Sequence, residues 1–221
     1  MTFKFISALA LLLIVPSLHA DWEVIQKMQV QGRDQQMTIK IKGDLIRNDM
    51  GTEMTVLADT KNGWSEAYMH ANKMKVRMSA EMMQSAGALA KQFAGGDQPP
   101  VKPKATGEKV KVGEWQTEVY TWESKMGGGK FYVAAGFPKF DELSSAMDKL
   151  AKASNNPMAG LFPSNTDFPG MVVKSELTIM GQKTVSELVS ATEKTLNEAD
   201  FKNLEGYQEV KIPTLPGGPG K

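Results

Sequence analysis

Met37-Thr38-Ile39-Lys40-Ile41-Lys42 alternates apolar and polar side chains, and Lys73-Met74-Lys75-Val76-Arg77-Met78 repeats the alternation with basic residues on the polar side. A period of two residues is typical of a β-strand with one buried face. Turns rich in Gly, Asn, Asp or Lys separate three more short strands between these two. They are predicted at residues 45–47, 53–58 and 64–69. Residues 37–78 are therefore predicted to form five neighbouring strands.

The sheet is predicted to continue on both sides of this stretch. Residues 22–30 precede it, and their turn to the next strand is too short for a crossover, which favours antiparallel pairing. Later strands are predicted at residues 108–112, 115–123, 130–135, 171–180, 184–192 and 207–212, with Gly127-Gly128-Gly129 in a hairpin loop. The segment from 184 to 192 also suits a helix, and the hairpin turn at Gly181-Gln182 favours a strand.

Helical spacing of apolar residues occurs in two places. One stripe comprises Met82, Met83, Ala86, Leu89, Ala90 and Phe93, behind Ser79 as a candidate N-cap. The other comprises Phe140, Leu143, Met147 and Leu150. A short helical turn is expected at residues 197–201. The predicted fold class is α+β: a curved antiparallel half-barrel of about ten or more strands, capped by two or three helices.

The N-terminus predicts export. Lys4 precedes an apolar run from Phe5 to Val15, and Leu18-His19-Ala20 offers a small residue for cleavage, as in a secretory signal peptide. We expect a signal peptide at residues 1–20, one half-barrel domain at 21–212 with a flexible loop at 95–105, and a disordered tail at 213–221. The mature protein is expected to be periplasmic or secreted and not membrane-spanning.

Charge and residue types argue against several functions. The 26 basic side chains exceed the 25 acidic ones by one, and Lys4 accounts for that one, so the mature chain has no net formal charge. Such balance argues against binding to nucleic acid or to anionic lipid. Cysteine is absent, and His70 is the one histidine after residue 20. No pattern typical of nucleophilic, acid–base or nucleotide chemistry is found, so we expect no enzyme activity and no cofactor.

Methionine is the one unusual count, with 15 in 221 residues. Five methionines lie close in sequence to His70: Met69, Met74, Met78, Met82 and Met83. Thioethers together with an imidazole suit Cu(I), a soft ion. The other interpretation is that these methionines form one adaptable apolar surface, which is a common use of methionine in binding sites.

A set of motifs resembles an uncharacterised family of exported bacterial domains, related in fold to the outer-membrane lipoprotein carriers. They are Lys42 to Arg47, the turn at 59–64, Lys73-Met74, the hairpin at 107–120, Gly181-Gln182-Lys183 and the segment 201–207. The resemblance implies a curved antiparallel sheet around an apolar cavity. It also implies that Arg47, on an early strand, helps latch a helical lid; the alternative is an exposed arginine on a strand edge.

Because two short helices cover only part of one apolar face, an apolar cavity between sheet and helices is expected. The leading hypothesis is a non-enzymatic carrier for an apolar small molecule or lipid, such as a lipoprotein acyl chain. The alternatives are an envelope protein-interaction module without a cavity and the Cu(I)-binding protein; a monomer is expected. The predicted ligand-binding residues are Met37, Ile39, Ile41, Arg47, Met54, Val56, Trp64, Tyr68, Met74, Val76, Met78, Met82, Leu89 and Phe93.

Overall fold

The computed structural model describes residues 21–78, 82, 101–125, 127–153 and 162–210, with the side chains of 149–153 excepted. Within these ranges the chain forms one open, curved, twelve-stranded sheet. The strands are β1 (Trp22–Val30), β2 (Arg33–Lys42), β3 (Leu45–Met50), β4 (Met54–Asp59), β5 (Trp64–Met69), β6 (Met74–Met78), β7 (Lys104–Val112), β8 (Trp115–Ser124), β9 (Gly127–Ala134), β10 (Met171–Ile179), β11 (Gln182–Glu193) and β12 (Gln208–Glu209). One α-helix, α1 (Phe140–Ala153), and 3-10 helices at Asn165–Asp167 and Glu198–Phe201 complete the described elements.

Two antiparallel meanders form this sheet. The first runs from β1 to β6 and the second from β7 to β11, and antiparallel pairing of β1 with β11 joins them. The short β12 returns to the far edge and pairs parallel with β6. The C-terminal end of the described chain thus returns to the edge of the first meander. The strand order is linear, with β12 at one edge and β7 at the other, so the sheet is open rather than a closed barrel.

Side chains project alternately to the two faces of the sheet. One face packs against α1, and we call it the helix face. The opposite face, on β2 to β6, is crossed by residues 194–210, and we call it the arm face, with 194–210 as the C-terminal arm. Lys42 donates from this face to the Leu196 carbonyl at 3.1 Å, and Lys40 pairs with Asp200 at 3.2 Å. Both faces of the first meander therefore bury side chains.

The core of the helix face is continuous across the join between the meanders. Trp22 and Val24 on β1, Ile39 on β2 and Val173 on β10 are all buried there, packed with Leu143 of α1. A second cluster forms farther along β8 and β9, where Trp122, Phe131 and Val133 pack with Phe168. The helix thus covers the centre of the sheet, beside β1, β10 and β11.

Local sequence explains where α1 lies. Strand β9 ends at Ala134, and Phe137 and Pro138 follow before the helix begins at Phe140. Phe140, Leu143 and Met147 share one side at helical spacing, and Asp141 and Glu142 in the first turn favour the positive end of the helix dipole. Leu143 is fully buried, which fixes the stripe against the sheet.

Most predicted strands are confirmed, including 184–192, which lies in β11, and the short helical turn near 197–201. One prediction is wrong, because the glycines at 127–129 belong to β9 rather than to a loop. β7 begins at Lys104 and so includes the last two residues of the predicted flexible segment 95–105, of which residues 95–100 lie outside the described part of the chain. The final strand is two residues long where it is described, against a predicted range of 207–212.

The predicted curved antiparallel sheet is confirmed, and it is open. Two or three helices were predicted, whereas the described residues contain a single α-helix. Of the predicted helix at 82–93, Met82 alone is described, and it is helical. The rest of that helix, residues 1–20 and the tail at 213–221 lie outside the described residues. No described helix has the length and apolar character needed to cross a bilayer.

Candidate functional site

Five methionines stand in line across the helix face of the first meander. The strand register pairs Met37 with Met50, Met50 with Met54, Met54 with Met69 and Met69 with Met74. Residues paired in this way project to the same face with their Cβ atoms about 4.5–5.5 Å apart. We call these five residues the methionine row. All five are half-buried, so the row forms a continuous thioether surface that is partly open.

The two neighbouring rows of the same face are also uncharged. One contains Ile39, Asn48, Val56, Ala67 and Val76, and the other contains Ile41, Ile46, Ala58, Ser65 and Met78. Asn48 and Ser65 are the two polar residues among these fifteen positions. An apolar and uncharged surface of this kind suits hydrocarbon and disfavours hard cations, which need oxygen ligands.

The methionine row leads into a cavity beneath α1. Gln26 on β1 pairs with Met37 on one side and with Leu188 of β11 on the other. Gln26 and Leu188 both line the cavity. An uncharged track therefore runs from the cavity across β2 to β6, with the Gln26 side chain between Leu188 and the methionine row.

This cavity has a volume of about 180 Å³ and lies between the sheet, Met147 of α1 and residues 163–168. Met147, Phe168, Met171 and Val173 provide apolar walls. Small-molecule sites usually measure about 300–1,000 Å³. The cavity therefore has room for the end of an apolar chain rather than for a whole lipid.

The register divides the predicted ligand-binding residues between two faces. Eight of them share the helix face: Met37, Ile39, Ile41, Met54, Val56, Met74, Val76 and Met78. Trp64 and Tyr68 instead pair with Asp59 and Thr55, on the arm face, together with Arg47. The register therefore separates Trp64 and Tyr68, which were predicted to line the same surface as these eight residues, because one-residue steps along a strand change the face. Leu89 and Phe93 lie outside the described residues, and Met82 is helical and half-buried.

Arg47 does latch a segment, but that segment is the C-terminal arm. Its Nη1 donates to the Asp200 carbonyl at 3.0 Å, and its Nε donates to Asp49 at 2.8 Å. Burial alone would raise the pKa of Asp49, but hydrogen bonds from Arg47 and Thr55 and the charges of Arg47 and Lys40 lower it below its ordinary value. Arg47 is therefore not a fully exposed arginine on a strand edge, since its side chain is 22% exposed. The helical lid that it was predicted to latch lies mostly outside the described residues.

The imidazole of His70 belongs to the same arm-face network. Thr55 donates its hydroxyl to Asp49 at 2.6 Å, so His70 Nε2–H donates to Thr55 Oγ1 at 3.1 Å. The Tyr207 hydroxyl then donates to Nδ1 at 2.5 Å. Because His70 is on the arm face and Met69 and Met74 are on the helix face, the predicted copper set of His70 with these methionines does not form one site.

A buried carboxylate lies beside this network. Glu66 is 1% exposed, accepts a hydrogen bond from the Tyr68 hydroxyl and pairs with Arg77 at 3.4 Å. Burial, together with the hydrogen bond and charge of Glu66, raises the pKa of Tyr68. Tyr68 in turn packs edge-on against Tyr207, with ring centroids 5.1 Å apart. These contacts bind the arm to the sheet, and the described residues contain no cluster of His, Asp or Glu arranged to hold a metal.

Sequence reasoning missed the cavity residues because they come from distant segments. Gln26 and Leu188 meet only through the pairing of β1 with β11, and Phe168 reaches them from the loop after α1. The single available signal was the presence of Phe162 and Phe168 in a Pro-rich loop, which required apolar cover.

No family model and no curated protein matches the chain. Among solved structures, the chain is similar to PNGF-II, with 11% identity, a TM-score of 0.42, and coverage of 87% of this chain and 32% of that one. It is also similar to a LolA superfamily protein from Nitrosomonas europaea (9% identity, TM-score 0.32, 84% and 91% covered). A third is a DUF1329 family protein from Desulfovibrio piger (10% identity, TM-score 0.33, 85% and 91% covered).

The chain thus spans about a third of the length of the first of these proteins. The solved structures to which the chain is similar thus include a LolA superfamily protein and a DUF1329 family protein.

Proposed function

We propose that this protein is a non-enzymatic, exported binding protein that shields an apolar ligand, such as a lipid or the acyl chain of a lipoprotein, on its helix face. The observation that carries the proposal is the methionine row and its continuity with the cavity beneath α1. Methionine is flexible and polarizable, so a row of it accepts chains of different shape.

The dimensions agree with one acyl chain. From Met37 to Met74 the row crosses four inter-strand steps, or about 19 Å at roughly 4.8 Å per step. One leaflet of a bilayer is about 15 Å of hydrocarbon, half of a core of about 30 Å. A single extended chain therefore fits along the row, with its end in the cavity of about 180 Å³.

The absence of charge gives the second support. A lipid headgroup with phosphate or carboxylate would find no cationic partner in the three rows that cross β2 to β6 on this face. Burying an unpaired charge costs several kcal/mol, so the headgroup would remain outside while the chain is bound.

Native mass spectrometry of protein purified from its own envelope tests the proposal, because a retained lipid would appear as a defined mass increment. A second test measures binding of the uncharged fluorophore N-phenyl-1-naphthylamine. Met54→Glu on the methionine row should weaken that binding at least tenfold, whereas Gln36→Glu, on the exposed arm side of β2, should leave it unchanged. Absence of a retained lipid together with equal effects of the two variants would contradict the proposal.

A further inference from the structure

Three buried side-chain polar atoms have no hydrogen-bond partner among the described residues: Asn48 Oδ1, Ser65 Oγ and Trp122 Nε1. All three side chains lie on the helix face. Asn48 pairs with Ile39, and Ser65 pairs with Ala58. Trp122 pairs with Gly129, which in turn pairs with Leu177 on the same face of β10. Native proteins pair the large majority of buried polar groups, so a set of orphans confined to one face requires a reason.

Asn48 lies beside the methionine row. It is two residues from Met50 on β3 and is 9% exposed, with Ile39 and Val56 as its register neighbours. Neither neighbour offers a hydrogen-bond donor. The amide oxygen is an acceptor only, so the group that would satisfy it must carry N–H or O–H.

The absence of charged side chains on this face of β2 to β6 limits the chemistry of the donor group further. The three rows of the helix face across β2 to β6 contain no acidic or basic side chain. A phosphate or carboxylate would place negative charge against the amide oxygen of Asn48, and an ammonium group would lose its hydration without a counter-ion. An uncharged donor is the one class that satisfies both conditions.

We infer that the ligand of the helix face is an apolar chain that bears an uncharged hydrogen-bond donor, a hydroxyl or an amide N–H, and that Asn48 Oδ1 accepts from it. This inference rests on the proposed function, because it names the chemistry of the ligand bound along the methionine row. It distinguishes a hydroxylated or amide-bearing chain from a pure hydrocarbon or a free fatty acid anion.

A matched pair of probes tests the inference: 1-dodecanol, which has an O–H donor, and dodecyl methyl ether, which has none. Both compete with N-phenyl-1-naphthylamine for the purified protein. Wild-type protein should bind the alcohol about tenfold more tightly, which corresponds to about 1.4 kcal/mol. Asn48→Leu, of similar volume, should bind the two probes equally, and Gln35→Leu, a half-buried amide on the same face, should keep the tenfold preference.

Each result decides between the two proposals. Equal affinity of the alcohol and the ether for wild-type protein would overturn the inference, because Asn48 Oδ1 would then accept no hydrogen bond from the ligand. That result would not contradict the apolar site of the proposed function. Binding of neither probe would overturn the proposed function as well. If Asn48→Leu fails to fold, Asn48→Val is a second apolar variant. If the folded variant still binds the alcohol more tightly than the ether, the inference is also overturned.

Discussion

Replacing Arg47 by methionine removes one of the charged contacts to the C-terminal arm while keeping an apolar side chain at this position. The variant loses the bond to the Asp200 carbonyl at 3.0 Å and both bonds to Asp49. A hydrogen bond to a charged group contributes about 1.5–3 kcal/mol. Arg47 is 22% exposed and Asp49 24%, so partial hydration reduces the expected loss to about 1–2 kcal/mol.

For a chain of this length, 1 kcal/mol shifts Tm by about 2–4 °C, so a loss of about 1–2 kcal/mol in Arg47→Met should lower Tm by about 2–8 °C. Circular dichroism during thermal unfolding measures this. Hydrogen exchange locates the effect, because the amides of Gln208 and Val210 donate to Lys73 and Lys75 at 2.8 Å and should lose protection. Arg33→Met, at an exposed position, is the matched control and should change stability by less than about 0.5 kcal/mol. If both variants had the same Tm and the arm amides stayed protected, the latch would be refuted.

Three further predictions concern the buried groups. Tyr68→Phe removes the hydroxyl donor of the buried Glu66 and should cost about 1–3 kcal/mol in urea unfolding; no change would show that the bond contributes nothing. Because the pKa of Asp49 is lowered in the folded protein, its contribution to stability is present above its ordinary pKa of 3.8 and is lost as pH falls through the lower folded value. Thr55→Val should therefore weaken the acid dependence of stability below about pH 4, and an unaltered profile would contradict this assignment. Gly129→Ala would place a Cβ in collision with the Glu176 carbonyl oxygen, so it should disrupt the pairing of β9 with β10 and expose their amides to exchange; normal protection would show that the strands tolerate the side chain.

Strand positions in the first meander could be predicted from the sequence because alternation and turn residues agree there. The assignment of faces in β5 could not. Trp64-Ser65-Glu66-Ala67-Tyr68-Met69 has apolar residues at both parities, since the C-terminal arm covers one face and the other carries the methionine row. A strand buried on both sides loses the clear period of two that identifies its inner face.

The glycines at 127–129 show another limit. Glycine runs indicate turns, but Gly127 and Gly129 lie where β10 passes so closely that a Cβ would meet the carbonyls of Thr178 and Glu176. The arm was likewise beyond prediction, because Arg47 and Asp200 are 153 residues apart and no local pattern links them. The methionine row required the register of five strands, which composition alone does not supply.

Photo-crosslinking tests the central claim most directly. A dodecanol analogue carrying a diazirine at its chain end can be bound to the protein, irradiated and located by peptide sequencing in the mass spectrometer. The two faces of β5 provide an internal comparison, because Met69 belongs to the methionine row and Tyr68 faces the arm. We predict label on Met69, Met54 or their row neighbours and none on Tyr68. Label on the arm face, or equal label on both, would contradict an apolar site on the helix face.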